Sequence, residues 1–102
     1  MRYHVAYRKR AAEEYLSSLF WYKRKSPFAA EQFVKRIDET LSRLTHDPKR
    51  FRNTYKNFYE VRVKKFPYSI VYFIDEEEQK VIITSIFHQK RNPRKKFRDN
   101  DL

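Results

Sequence analysis

The chain of 102 residues has no cysteine, no glycine, four prolines, one methionine and one tryptophan. Each scarcity closes a set of functions. Without cysteine there is no disulfide framework and no thiolate metal site. Average usage would put about seven glycines in a chain of this length. With none, a P-loop, a dinucleotide-binding turn and an EF-hand cannot be built, so any phosphate must be met by side chains. No apolar run approaches the roughly 18 residues of a membrane span. The opening Met1-Arg2-Tyr3-His4 is no signal peptide. The chain reads as cytoplasmic, with no membrane partner.

Acidic residues are also in short supply: 13 Asp and Glu face 24 Lys and Arg, a net charge of +11. A balance this basic points to an anionic partner, nucleic acid or an acidic protein; a merely soluble basic surface is the plain alternative. What the chain has in quantity is rings, eight Tyr and nine Phe, enough to fill a small core with few residues. The length suits one domain, and a domain this small has modest stability.

Tyr3, Val5 and Tyr7 alternate with polar or small residues and predict a short strand. Ala12, Tyr15, Leu16, Leu19 and Tyr22 recur at helical spacing. Glu13 and Glu14 open that helix and Lys23-Arg24-Lys25 close it, each charge suited to the helix dipole. Ser26-Pro27 reads as N-cap and first position of a second helix. Its stripe of Ala30, Phe33, Val34, Ile37, Leu41 and Leu44 runs until His46-Asp47-Pro48 stops it. The short connection predicts an antiparallel helical hairpin.

Beyond Pro48 the period becomes two. Tyr59, Val61 and Val63 face one way, and Glu60, Arg62 and Lys64 the other. Tyr68 to Ile74 reads as a central strand covered on both faces, Asp75 to Gln79 as a hairpin loop built without glycine, and Val81 to Phe87 as the last strand. The order is β-α-α-β-β-β, with room for a further short strand near Phe51–Tyr55. This is an α+β fold: a helical hairpin packed on one face of a mostly antiparallel sheet. Residues 1–92 are expected to form the domain and residues 93–102 a basic C-terminal tail.

Arg62 stands out because it alternates with Val61 and Val63 and so leaves the helix-covered face. An arginine there can clamp a phosphate or carboxylate bidentately; the plain alternative is a solvated arginine paired with Glu60. His88 ends the last strand among cations, which disfavour its protonated form and leave an imidazole able to act as a base. A strand-end histidine bonded to backbone is the alternative. His4 and His46 match no metal-ligand spacing, and Glu76, Glu77 and Glu78 read as a solvated loop. No serine lies beside a base, so a hydrolytic triad has no support. No metal or cofactor is expected.

Two basic clusters remain. Lys49 to Lys65 holds seven cations against Glu60, and His88 to Arg98 holds six against no acid. Phe51, Tyr55 and Phe58 interleave the first and Phe97 lies in the second. Cations with interleaved rings suit a single-stranded nucleic acid, or an acidic peptide laid across the sheet. The expected phosphate contacts are Lys49, Arg50, Arg52, Lys56, Lys64, Lys90, Arg94 and Lys95.

In order and spacing, several segments resemble the RelE/ParE superfamily of type II toxin–antitoxin toxins over residues 2 to about 94. They are Tyr3-His4-Val5-Ala6-Tyr7 with Ala11-Ala12-Glu13-Glu14-Tyr15-Leu16, Ser26-Pro27-Phe28-Ala29-Ala30, Tyr59-Glu60-Val61-Arg62-Val63, Phe66-Pro67-Tyr68-Ser69-Ile70-Val71-Tyr72, and Ile86-Phe87-His88-Gln89-Lys90-Arg91-Asn92-Pro93. The last two look closer to ParE-like sequences. The resemblance implies a growth-inhibiting toxin covered by a cognate acidic antitoxin, as a homodimer or a toxin–antitoxin hetero-oligomer. One branch cleaves mRNA on the ribosome; the ParE-like branch poisons DNA gyrase. The family's strand arginine falls on Arg62, and its C-terminal basic or histidine position on His88 and Arg91. In a nuclease, Arg62 would stabilise charge developing on phosphate and His88 would be base or acid. The chain departs from nuclease members in having Phe97 where many carry a tyrosine, Gln89 after His88, and no loop glycines. A non-toxic nucleic-acid-binding domain or an inactive family member is the alternative.

Overall fold

Ser26 ends one helix and starts the next. Its Oγ accepts from the Ala29 N–H at 3.3 Å. Pro27 fills the first helical position, where its missing N–H costs nothing. The chain therefore turns sharply between α1 (Lys9–Lys25) and α2 (Pro27–His46). The computed structural model describes residues 2–90. Around the hairpin lie β1 (His4–Tyr7), a 3-10 turn (Pro48–Arg50), β2 (Arg52–Tyr55), β3 (Phe58–Arg62), β4 (Tyr68–Asp75) and β5 (Lys80–His88). The predicted extra strand is β2. The strands form one sheet in the order β1-β5-β4-β3-β2, antiparallel except that β1 runs parallel to β5. The class is α+β, with both helices over one face of a mixed sheet.

The hairpin is held by rings. Phe33 of α2 is wholly buried, with ring centroids of Tyr22 at 5.0 Å, Tyr68 at 5.1 Å, Phe66 at 5.4 Å and Tyr15 at 5.9 Å. Burying one such side chain is worth about 2–3 kcal/mol. An exposed ion pair contributes ~0–1 kcal/mol, and Arg36–Glu39 at 3.0 Å is of that kind. Ring packing, not the charge network, therefore fixes the helices on the sheet. Tyr68 to Tyr72 of β4 are all buried, in keeping with a central strand.

Two sequence expectations need correction on α1. Its inward stripe is Ala11, Tyr15, Leu19 and Tyr22, while Leu16 is half exposed. The helix also starts earlier than expected, at Lys9, so its first turn holds no acidic residue. Glu14 has a different task. β1 pairs with β5 only as far as Tyr7↔Ile83, and β5 continues to His88. At the strand edge so uncovered, Glu14 Oε1 accepts from the Ile86 N–H and the Ser85 hydroxyl, each at 2.9 Å. A helix carboxylate stands in for the missing neighbour strand.

The absence of glycine is felt in the turns. Lys56 (φ 50°), Lys65 (φ 70°) and Gln79 (φ 53°) occupy the left-handed region. Glycine adopts that region at no steric cost, and other residues do not. The Gln79 amide is anchored to the Glu76 carbonyl at 2.8 Å.

Glu14→Ala is expected to destabilise the fold by about 1–3 kcal/mol, because it strands a backbone donor. Glu14→Gln, which keeps an acceptor, should recover most of that in a urea unfolding series. Lys65→Gly should raise stability by about 1 kcal/mol, seen as a melting temperature higher by roughly 4–8 °C.

Candidate anion-binding groove

β2 pairs with β3 no further than Arg52↔Glu60, and β3 runs on to Arg62. Beside this stretch lies a groove of about 670 Å³ lined by Arg43, Arg50, Phe51, Arg52, Glu60, Val61, Arg62, Lys64, Phe87 and Gln89. Five of these residues are cations and one is a carboxylate, a balance that favours an anion there.

Separate elements bring these cations together. Arg43 comes from the last turn of α2 and Arg50 from the 3-10 turn. That turn is tied to the sheet by the buried Tyr72 hydroxyl, which donates to the Pro48 carbonyl at 2.6 Å. Burial, then the neighbouring Tyr59 and Asp47, push the Tyr72 hydroxyl far above the usual tyrosine range, so it stays a donor. Phe51 packs against two of the arginines. The Arg50 guanidinium carbon lies 5.1 Å from its ring centroid, and that of Arg43 lies 5.8 Å away. Both contacts are within the range of cation–ring attraction.

Arg62 points away from the helices, as the alternation predicts. Its Nη2 donates to Gln89 Oε1 at 2.8 Å, and Gln89 Nε2 donates to the buried Ser69 hydroxyl at 2.9 Å. His88 lies on the opposite side of the sheet. Its ring meets Tyr68 edge-on at 5.2 Å, under the helices, and its Nδ1 accepts the Lys90 N–H at 3.1 Å. Arg62 and His88 are thus not brought together; the residue facing Arg62 is Gln89.

Of the expected phosphate contacts, Arg50, Arg52 and Lys64 line the groove with Arg62. Lys49 does not: its ammonium pairs with Glu76 at 2.7 Å, and Tyr3 donates to the other oxygen of the same carboxylate at 2.7 Å. Lys56 sits in the β2–β3 turn with its ammonium 5.3 Å from the Tyr55 ring centroid, and Lys90 is exposed past the end of β5. Arg91, Arg94 and Lys95 lie outside the described residues. Sequence reasoning misses Arg43, which reads as an ordinary helix-end cation. It also misses Gln89 as a partner for Arg62, although counting by two from Phe87 places Gln89, and not His88, on the open face. Among the described residues no cluster of His, Asp and Glu could hold a metal.

A two-helix hairpin on one face of a mixed five-stranded sheet is the fold of toxins from type II toxin–antitoxin systems. The chromosomal ParDE system of P. aeruginosa superposes with a TM-score of 0.71 at 14% identity, over 85% of this chain and 96% of that one. The intact E. coli RelBE complex gives 0.61 at 17%, over 87% and 99%. RelBE2 of Mycobacterium tuberculosis gives 0.59 at 20%, over 86% and 92%. At these identities the likeness is one of fold. Residues 5–93 match the ParE toxin of the type II toxin–antitoxin system parDE, and the chain belongs to that family. No curated protein sequence matches it.

Glu76 titrates below the ordinary glutamate range because of the hydrogen bonds from Lys49 and Tyr3. A lowered folded value means the cluster's support is present above the unfolded glutamate value and lost as pH falls through the folded one. Lys49→Met is expected to move the Glu76 carboxyl midpoint up toward that of a free glutamate, read by NMR titration.

Proposed function

We propose that this chain is a growth-inhibiting toxin that engages phosphodiesters through the Arg62 groove, that it inhibits DNA gyrase by binding rather than by bond cleavage, and that an acidic antitoxin neutralises it in the cytoplasm. One observation carries the reading: Arg43, Arg50, Arg52, Arg62 and Lys64 converge on a single groove, while the strand arginine is bonded to Gln89 and His88 faces the helices. Fixed guanidiniums suit clamping of phosphate oxygens, since the planar fork offers two parallel N–H donors to one oxyanion. Proton transfer needs a base within hydrogen-bond reach of the reacting group, and His88 packs on the other face from Arg62. In this assembly an acidic antitoxin segment covers the same cations, so toxin and antitoxin form a hetero-oligomer.

Cleavage of ribosome-bound mRNA is the second reading, with Arg62 stabilising the phosphate and the Glu60 carboxylate, rather than His88, as the candidate base. The observation in its favour is Glu60, a carboxylate lining the same groove as Arg62.

Expression of the chain alone is expected to arrest growth, and co-expression with the adjacent small open reading frame to restore it. Purified toxin should stop gyrase supercoiling without new ends appearing in a primer-extension assay on translated mRNA. Arg62→Ala should raise the half-inhibitory concentration about tenfold or more, the loss of one charge-assisted contact. Cleavage that disappears with Arg62→Ala moves the assignment to the second reading. No growth defect from the intact chain rejects the toxin reading in favour of a plain nucleic-acid-binding or inactive domain.

A further inference from the structure

Gln89 is held at three points. Its N–H donates to the Pro67 carbonyl at 2.8 Å, its Nε2 donates to the buried Ser69 hydroxyl at 2.9 Å, and its Oε1 accepts from Arg62 Nη2 at 2.8 Å. The amide orientation is therefore fixed, since a flip would set two donors against each other at Arg62. We propose that Gln89 is a positioning residue that presets the Arg62 guanidinium for a phosphodiester oxygen pair. The proposal rests on the reading that this groove takes phosphodiesters.

The chemistry explains why an amide serves here. A free arginine side chain gives up substantial rotamer freedom when a ligand orders it. A partner that orders it beforehand removes that loss from binding, provided it does not consume the charge. A carboxylate would hold Arg62 as well but would neutralise it and compete with the incoming anion. The amide oxygen is a neutral acceptor and engages one N–H of the guanidinium's five. The rest of the fork has no protein partner among the described residues. Ser69 and Pro67 complete the device from the turn and strand next to Arg62, so the arginine is braced by β4 and the end of β5 rather than by its own strand.

The test is binding of a fluorescein-labelled single-stranded DNA of about ten nucleotides, followed by anisotropy at several salt concentrations. The proteins are the unmodified chain, Gln89→Ala, Gln89→Glu, Arg62→Ala and the Arg62→Ala/Gln89→Ala pair. Gln89→Ala is expected to bind about tenfold more weakly and to have no further effect in the Arg62→Ala background, because it acts through Arg62. Gln89→Glu should bind at least as weakly, and its slope of log affinity against log salt should fall by about 0.7, as in Arg62→Ala, because one phosphate contact is lost. A purely structural role would leave that slope unchanged. Gln89→Met, which keeps the volume and loses the acceptor, replaces Gln89→Ala if that variant does not fold. The inference is overturned if Gln89→Ala binds like the unmodified chain, or if its loss adds in full to that of Arg62→Ala. No binding by the unmodified chain overturns the phosphodiester reading and this inference with it, and is distinct from a failure of Gln89 alone.

Discussion

The contact of Phe33 with Tyr22, Phe66 and Tyr68 is the one on which the rest of the molecule depends. It joins α2, α1, the β3–β4 turn and β4 in a single ring cluster, and it commits one face of the sheet to the helices. Everything polar on β3 must then leave by the other face, because burying an unpaired guanidinium would cost several kcal/mol. Arg62 is exposed for that reason, and the groove begins where the helices end.

Edges impose the second constraint. β1 is too short for β5, and Glu14 completes the pairing from α1. β2 is too short for β3, and there no side chain of this kind closes the gap among the described residues; cations collect instead. The same shortage of strand is met at one edge by a carboxylate satisfying a backbone donor and at the other by a positive groove. Only the second arrangement leaves room for a partner. The Tyr72 hydroxyl links the two halves of this design, since its bond to the Pro48 carbonyl holds the 3-10 turn, and hence Arg50 and Phe51, against the sheet.

The lack of glycine sharpens both points. Backbone cradles are closed to this chain, so any phosphate must be met by side chains, and an arginine needs bracing to act as a fixed donor. Phe51 braces Arg43 and Arg50 from the flat of its ring, and Gln89 braces Arg62 through its amide. The turns carry the same absence in another form, with Lys56, Lys65 and Gln79 in backbone conformations that a glycine would adopt without strain.

Local signals are strong enough to read the helices, the Ser26-Pro27 junction, the alternation of β3 and the buried run of β4, because spacing and capping act over a few residues. They also expose Arg62. They fail where a residue's role depends on something distant in the chain. Glu14 reads as a helix-dipole acid but caps an edge 72 residues away. Lys49 reads as one cation of a cluster, and its ion pair with Glu76 is set by the fold. His88 and Arg62 read as one site, yet a strand shows successive side chains to opposite faces, and one residue of register separates them. Sequence alone determined the charge, the ring-rich core and the order of elements. Which cations meet, and that Gln89 rather than His88 faces Arg62, was decided by the sheet, since only strand register and the ends of neighbouring strands set which side chains share a surface.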